Sequence, residues 1–283
     1  MCVPARGGLF LAAVLAMSCA GAAAGTMDFQ NNASYSGARD TFMIMQNRND
    51  ENFGSFWELH VRHREAYDWD ESSLLYFDIS AIPGGQTITG ATLRLYYYDD
   101  DGGSMSSSDT LEVQVWRMRK SWTVGTGDDP PNHTGHNGQG GSDRSGASWS
   151  YRFAYPDTTG WYNEGARGTD PSQGDRLAYY DAGVTITGDN YGFYYWSDAN
   201  VTATVAAWYQ NPGQNFGWVI DHGASSDTNN GVIFFSSDYS TSPADYYLRP
   251  LLEVTYQPVP EPATMALLAL VGATVLARRR RGS

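Results

Sequence analysis

Cysteine is nearly missing from this chain of 283 residues: both copies, Cys2 and Cys19, lie close to the N-terminus, and nothing after them carries a thiol. Disulfide bonds and cysteine nucleophiles are therefore excluded from the body of the protein, whose stability must come from packing or a bound ion. Lysine is almost as scarce, with Lys120 the single copy. Between residues 25 and 257 there are 13 basic against 30 acidic residues, a net of −17, and a surface of that sign disfavours a nucleic-acid partner. Helical periodicity is hard to find between Asp40 and Tyr256, which leaves room for at most one short helix. No Gly-x-Ser-x-Gly elbow, His-Glu-x-x-His pair or phosphate-binding glycine loop occurs, so the common hydrolase, metalloprotease and nucleotide-binding chemistries have no signature.

What is present begins with two terminal segments. Arg6, an apolar core from Leu9 to Met17 and the small residues Ala22-Ala23-Ala24 make residues 1–24 a signal peptide for signal peptidase. A lipoprotein reading through Cys19 is weaker, because Ala16-Met17-Ser18 lacks the leucine expected three residues ahead of a lipidated cysteine. At the other end, Pro260-Glu261-Pro262 precedes an apolar helix of 15 residues, Ala263 to Ala277, and then Arg278, Arg279, Arg280 and Arg281. Crossing a bilayer takes roughly 20 apolar residues, so this transmembrane helix is marginal as a permanent span. The arginines set its orientation, with everything N-terminal to it outside the inner membrane.

These two ends resemble the PEP-CTERM class of bacterial surface proteins. That resemblance implies that an exosortase-type protease cuts near the motif and passes the protein to the surface or the extracellular matrix, with the tail as a transient or permanent inner-membrane anchor. The chain then divides into the signal peptide 1–24, a domain at 25–257 and a sorting segment at 258–283.

Inside the domain, short runs of β-branched and aromatic residues recur between turn signals. FWELHVRH sets Leu59 and Val61 on one face against Glu58, His60 and Arg62 on the other. ATLRLYYY alternates Ala91, Leu93, Leu95 and Tyr97 with Thr92, Arg94, Tyr96 and Tyr98, and LEVQVW aligns Leu111, Val113 and Val115. Period two of this kind predicts half-buried antiparallel strands. With SLLYFDI, FGWVI, GVIFF and LLEVTY added, the expectation is an all-β antiparallel sandwich or jelly roll. The one helix predicted is NVTATVAAWYQNPG, where Val201, Val205 and Trp208 share a face before Pro212 and Gly213 end it. Gly125 to Gly146, crowded with glycine and proline, reads as a long exposed loop.

The strands carry an ordered set of motifs: Asp40-Thr41, NFGS at Asn52, SLLYFDISAIPGGQTITGATLRLYY from Ser73, SWTVGTG from Ser121, GASWSYR from Gly146, NVTATVAAWYQNPGQNFGWVI from Asn200 and RPLLEVTY from Arg249. In this order they resemble the DNRLRE-domain family, which is grouped with carbohydrate-binding modules and related to archaeal disaggregatase repeats. The resemblance implies a β-sandwich that binds polysaccharide. One departure is visible, since the family's Trp-x-Glu-Gly stands here as Trp122-Thr123-Val124-Gly125.

The residues themselves point the same way. His60, Arg62 and Arg64 project together from one strand, and Arg94 and Tyr96 from another, a set suited to stacking sugar rings and pairing with uronate or sulfate. The alternative is that these arginines balance Asp68, Asp70, Glu71 and Asp99 to Asp101 across the sheet. Trp57, Trp69 and Trp161 lie among polar or loop residues and are candidate sugar platforms, whereas Trp116, Trp122, Trp149 and Trp208 read as packing. The expected ligand residues are thus His60, Arg62, Arg64, Arg94, Tyr96, Trp69 and Trp161, with no catalytic set and no metal site. His133 and His136 have metal-like spacing but lack a third ligand nearby. No cofactor is required, and structural calcium at Asp99-Asp100-Asp101-Gly102 is left open against a solvated turn. The partner expected is polysaccharide, with an acidic one the favoured test. Two alternatives stand: a lyase or glycoside hydrolase using His60, His63, Arg62, Arg64 and Tyr96 or a carboxylate pair, and a structural surface protein without a small ligand.

Overall fold

The computed structural model describes residues 24–45, 49–64, 69–100, 105–127, 146–153, 159–227 and 229–259. The signal segment, the tail from residue 260 and most of the glycine loop, with His133 and His136, lie outside them. The expected tail helix therefore lies outside as well, and among the described residues no helix is long and apolar enough to cross a membrane.

Among the described residues thirteen strands form: β1 (Gly25–Phe29), β2 (Ala38–Ile44), β3 (Glu58–Arg64), β4 (Trp69–Phe77), β5 (Gln86–Asp99), β6 (Thr110–Arg117), β7 (Tyr151–Phe153), β8 (Thr159–Gly160), β9 (Ala182–Thr187), β10 (Gly192–Trp196), β11 (Trp218–Ser225), β12 (Asn229–Phe235) and β13 (Leu251–Pro258). All but β7 and β8 join one curled sheet in the order β1-β13-β5-β12-β3-β4-β11-β6-β9, with β10 added on β5 and β2 on β4. Every pairing within it is antiparallel. Two strands produce the curl by handing one edge from partner to partner. β5 gives residues 86–94 to β13 and residues 97 and 99 to β12; β4 gives residues 69–71 to β3 and 73–75 to β11.

The period-two residues face inward as expected. Leu59, Val61, Leu93, Leu95, Leu111, Val113 and Val115 are each fully buried in one core. The predicted helix forms as α1 (Ala199–Gln210), burying Val201, Val205 and Trp208. Trp208 meets Trp218 with ring centres 4.4 Å apart, and the Thr202 hydroxyl accepts a hydrogen bond from the Ala91 amide, tying the helix to β5.

Strands β2, β4 and β11 are also covered on their outer side. Met43, Leu74 and Val219 pack there under Trp149, Trp161 and Ala166 in a second core, which accounts for the unbroken apolar run in SLLYF. The glycine motifs NFGS, TVGTG and GAS meet around one side chain, Asn52. Its amide donates to the carbonyls of Val124 and Ala147 at 2.7 and 2.8 Å and accepts from the amides of Gly54 and Gly127 at 3.1 and 3.0 Å. A Cβ on Gly125, which has φ +76°, or on Gly146 would come within 2.1 Å of Asn52, so these glycines are demanded by close approach. Because Asn52 uses the Val124 carbonyl, the knot does not depend on the side chain at position 124.

Candidate functional site

Register sets which side chains share the outer face of the sheet. β12 lies between β5 and β3, with Phe235 opposite Glu58, Ile233 opposite His60 and Gly231 opposite Arg62. Phe235 then stacks on Tyr98 at 4.0 Å and 4° between planes, on Tyr96 at 5.7 Å and on Tyr239 at 3.6 Å. Trp57 closes one end of this band, 5.7 Å from Tyr98 and 5.9 Å from Tyr239, and is 38 % exposed. At the other end Phe193 sits edge-on to Tyr96 at 4.9 Å, with the Arg94 guanidinium 4.5 Å above its ring. Tyr195 and Tyr247 continue the band into solvent. A solvent-facing row of rings beside a cation is what a sugar chain stacks on.

Beside the rings runs a chain of hydrogen bonds. The Tyr98 hydroxyl donates to Glu58. Glu58 Oε2 meets His60 Nε2 at 2.9 Å, and His60 Nδ1 meets Glu71 Oε2 at 3.0 Å. The Trp69 indole donates to Glu71 Oε1 at 2.9 Å. An imidazole with a carboxylate at each nitrogen satisfies both by donating from both. Burial opposes the Glu71 charge, but the His60 hydrogen bond and the positive charges of His60 and Arg62 hold its carboxyl below the usual range. Burial and then the Glu58 charge push the Tyr98 phenol far up, so it stays protonated. Arg62 and Arg64 flank Trp69 at 5.8 and 5.5 Å.

The predicted ligand residues thus divide. His60, Arg62, Arg64 and Trp69 form one cluster, while Arg94 and Tyr96 lie across β12 in the aromatic band. Trp161 is elsewhere: it is 8 % exposed in the second core, and its indole donates to the Ser148 carbonyl at 2.8 Å. Nor do the five residues of the lyase arrangement converge, because His63 projects opposite to His60 and Arg62 and pairs with Asp70 instead. Phe193, Phe235 and Tyr239 were not anticipated; alternation in GVIFF was the one sequence signal that could have marked Phe235. Asp99 ends β5 and Asp100 follows it, and the rest of the Asp-Asp-Asp-Gly turn lies outside the described residues.

A cleft of about 300 Å³ opens in a different part of the surface, lined by Arg39, Tyr76, Trp122 and Phe216 among others. Arg39 lies 4.3 Å over the Tyr76 ring.

The charged cluster draws its residues from β3 and β4, and the aromatic band takes Arg94, Tyr96 and Tyr98 from β5. That is the part of the chain for which a relationship is found. A model of carbohydrate-binding module family 96 matches residues 31–136. A PEP-CTERM protein-sorting motif matches residues 258–281. No curated protein matches the chain. The first match indicates carbohydrate binding, and the second indicates an exported protein sorted to the cell surface through exosortase processing.

Proposed function

We propose that residues 25–257 form a noncatalytic polysaccharide-binding domain of the DNRLRE type, displayed at the cell surface or in the extracellular matrix. Signal peptidase removes residues 1–24, and an exosortase-type protease processes the segment 258–283, whose apolar helix holds the protein at the inner membrane until then. The observation that carries this reading is the aromatic band from Trp57 through Tyr96 to Phe193, half-buried around the buried Phe235 and exposed at Trp57, with Arg94 set on it. An acidic polysaccharide is the preferred ligand, since the half-buried Arg64 and Arg94 lie on the face that carries the band in a domain of net −17, with Arg62 buried beside them against Glu71. The absence of cleavage is supported by the state of the groups nearest the band. His60 has a carboxylate on each nitrogen and Tyr98 is held protonated, so neither is free to take a proton from a sugar.

The test is affinity electrophoresis of the purified protein in gels carrying uronate-rich, sulfated or neutral polysaccharide, with polymer length followed in parallel. Trp57→Ala is expected to weaken retention about tenfold or more, the scale of an aromatic anchor. Arg62→Ala with Arg64→Ala is expected to cost about 1–3 kcal/mol on acidic polymers only. Arg39→Ala, in the separate cleft, is expected to bind like the parent. Shortening of the polymer would overturn the noncatalytic reading, and loss of binding in Arg39→Ala alone would move the site to the cleft.

A further inference from the structure

Among the described residues, one set of histidine and carboxylate ligand atoms converges: those of His63, Asp70 and His222 all lie within 4.8 Å of one another. They come from β3, β4 and β11, so neither spacing nor motif announces them. The two imidazoles stack with centres 4.4 Å apart. His63 Nδ1 is 3.2 Å from Asp70 Oδ1, and His222 Nε2 is 3.5 Å from Asp70 Oδ2.

His222 holds the decisive atom. Its Nδ1 lies 3.3 Å from the Gly223 carbonyl, an oxygen that can only accept, so Nδ1 carries the proton of the neutral ring. Nε2 is shielded from solvent and aimed at Asp70 Oδ2, 3.5 Å away. Burial opposes a second proton there while the Asp70 hydrogen bond and the Asp221 charge favour it, and a divalent cation that displaces this proton takes its place between nitrogen and carboxylate. An imidazole that donates one N–H to a backbone carbonyl and offers its other nitrogen is the arrangement metal-binding histidines adopt.

The surrounding charges leave Asp70 ready for the same role. Arg167 Nη1 holds Asp70 Oδ2 at 2.5 Å, while its Nε and Nη2 fork onto Asp221 at 3.0 and 2.7 Å. Arg176 joins Asp221 at 2.8 Å. Two guanidinium groups are thereby balanced by two carboxylates, so a cation that displaces ring protons meets no excess positive charge from these four groups, and Asp70 Oδ1 stays turned toward His63.

We propose that His63, Asp70 and His222 form a binding site for a divalent transition metal of the zinc, cobalt, nickel or copper class. Two nitrogens and one oxygen select these ions over calcium, which takes oxygens. Ligand atoms around such an ion stand about 3.3 Å apart, given bonds of about 2.0 Å, so closing the set takes side-chain movement of about an ångström. The His63 side chain is 28 % exposed and that of Asp70 17 %; the site opens to solvent and leaves a further coordination position for water or an outside ligand.

The test is titration of the metal-stripped protein, produced from the full chain, with Co²⁺ alone and Zn²⁺ alone. One equivalent is expected to bind, Co²⁺ giving the intense visible bands of a four- or five-coordinate ion. His63→Gln and His222→Gln are each expected to weaken binding about 100-fold. His133→Gln with His136→Gln is expected to leave it unchanged. No retained metal in the parent, or retention unaffected by both single changes, or loss in the His133 and His136 double variant, overturns the proposal. Should either single variant fail to fold, X-ray absorption of the zinc-loaded parent decides, since two imidazole shells are required.

Discussion

His60 and His63 stand on the same strand, one facing each side of the sheet, and they are held in opposite ways. His60 has a carboxylate at both nitrogens, Glu58 at 2.9 Å and Glu71 at 3.0 Å, and Phe42 stacked on its ring at 4.2 Å. His63 has one carboxylate, Asp70 at 3.2 Å, and that carboxylate is shared with an arginine and a second histidine. In the first cluster every polar atom of the ring is occupied, which fixes a rigid underlay beside the aromatic band. In the second, His222 Nε2 meets the shared carboxylate only at 3.5 Å. Saturation suits a scaffold, and a loosely held nitrogen suits a ligand.

Val61 lies between the two clusters and is fully buried in the main core. Val61→Asp places an unpaired charge there and is expected to remove most or all of the domain's stability, a loss of about 5 kcal/mol or more. A urea transition near that of the parent would show that the two faces of β3 are not separated by a continuous core.

Glu71→Ala tests the saturated cluster directly. It strips the acceptor from His60 and from the Trp69 indole and removes the carboxylate 3.9 Å from Arg62. Breaking a buried pair from one side costs about 3–5 kcal/mol, and urea denaturation at neutral pH measures it. A loss under about 1 kcal/mol would mean that the cluster is solvated.

Asp40 supplies the contrast that calibrates both clusters, since it is a buried carboxylate to which, among the described residues, neither imidazole nor guanidinium hydrogen-bonds. Burial first, then the Asp238 charge, push its carboxyl up to about 7, with only the Ser237 hydrogen bonds and the Arg249 charge opposing. The folded state therefore favours the protonated form. Its contribution to stability is complete below about pH 4 and is lost as pH rises from there through 7, by about 2–4 kcal/mol in all. Asp40→Asn keeps the acceptor for the Ser237 amide and is expected to flatten that slope, leaving the variant more stable than the parent above pH 7. Equal stability of the two proteins at pH 8 would show that Asp40 is ionised in the fold without penalty.

Much of this was legible in the sequence. Period two placed Val61 inward and aligned His60, Arg62 and Arg64, because one strand alone decides that. The glycines of NFGS, TVGTG and GAS stood in the sequence only as ordered motifs, and neither their close approach nor Asn52 as their meeting point was visible. What escaped was set by pairings between distant segments. Phe235 joins Tyr96 and Tyr98 because β12 is inserted between β3 and β5, and nothing local to GVIFF encodes that neighbour. Trp161 looked like a loop residue, yet its segment folds back over Met43, Leu74 and Val219. Alternation tells which way a side chain points and is silent on whether another segment covers it. His222 reached His63 only through β11.

The smallest effect belongs to Asp70, and it separates the two clusters most cleanly. Burial disfavours the Asp70 charge, but the His222 hydrogen bond and the Arg167 charge hold its carboxyl well below the usual range, as the guanidinium of Arg167 does for Asp221. Asp70→Asn keeps the shape and loses the charge. Arg167 retains both of its contacts with Asp221, and the site is partly exposed, so the expected loss is about 1 kcal/mol or less. Depressed carboxyls stabilise the fold above about pH 4 and lose that contribution as pH falls, so the parent and Asp70→Asn are expected to converge in acid. If Asp70→Asn costs as much as Glu71→Ala at pH 7, the His63 side of β3 is a buried structural network like the other, and the contrast drawn from the loosely held nitrogen of His222 is lost.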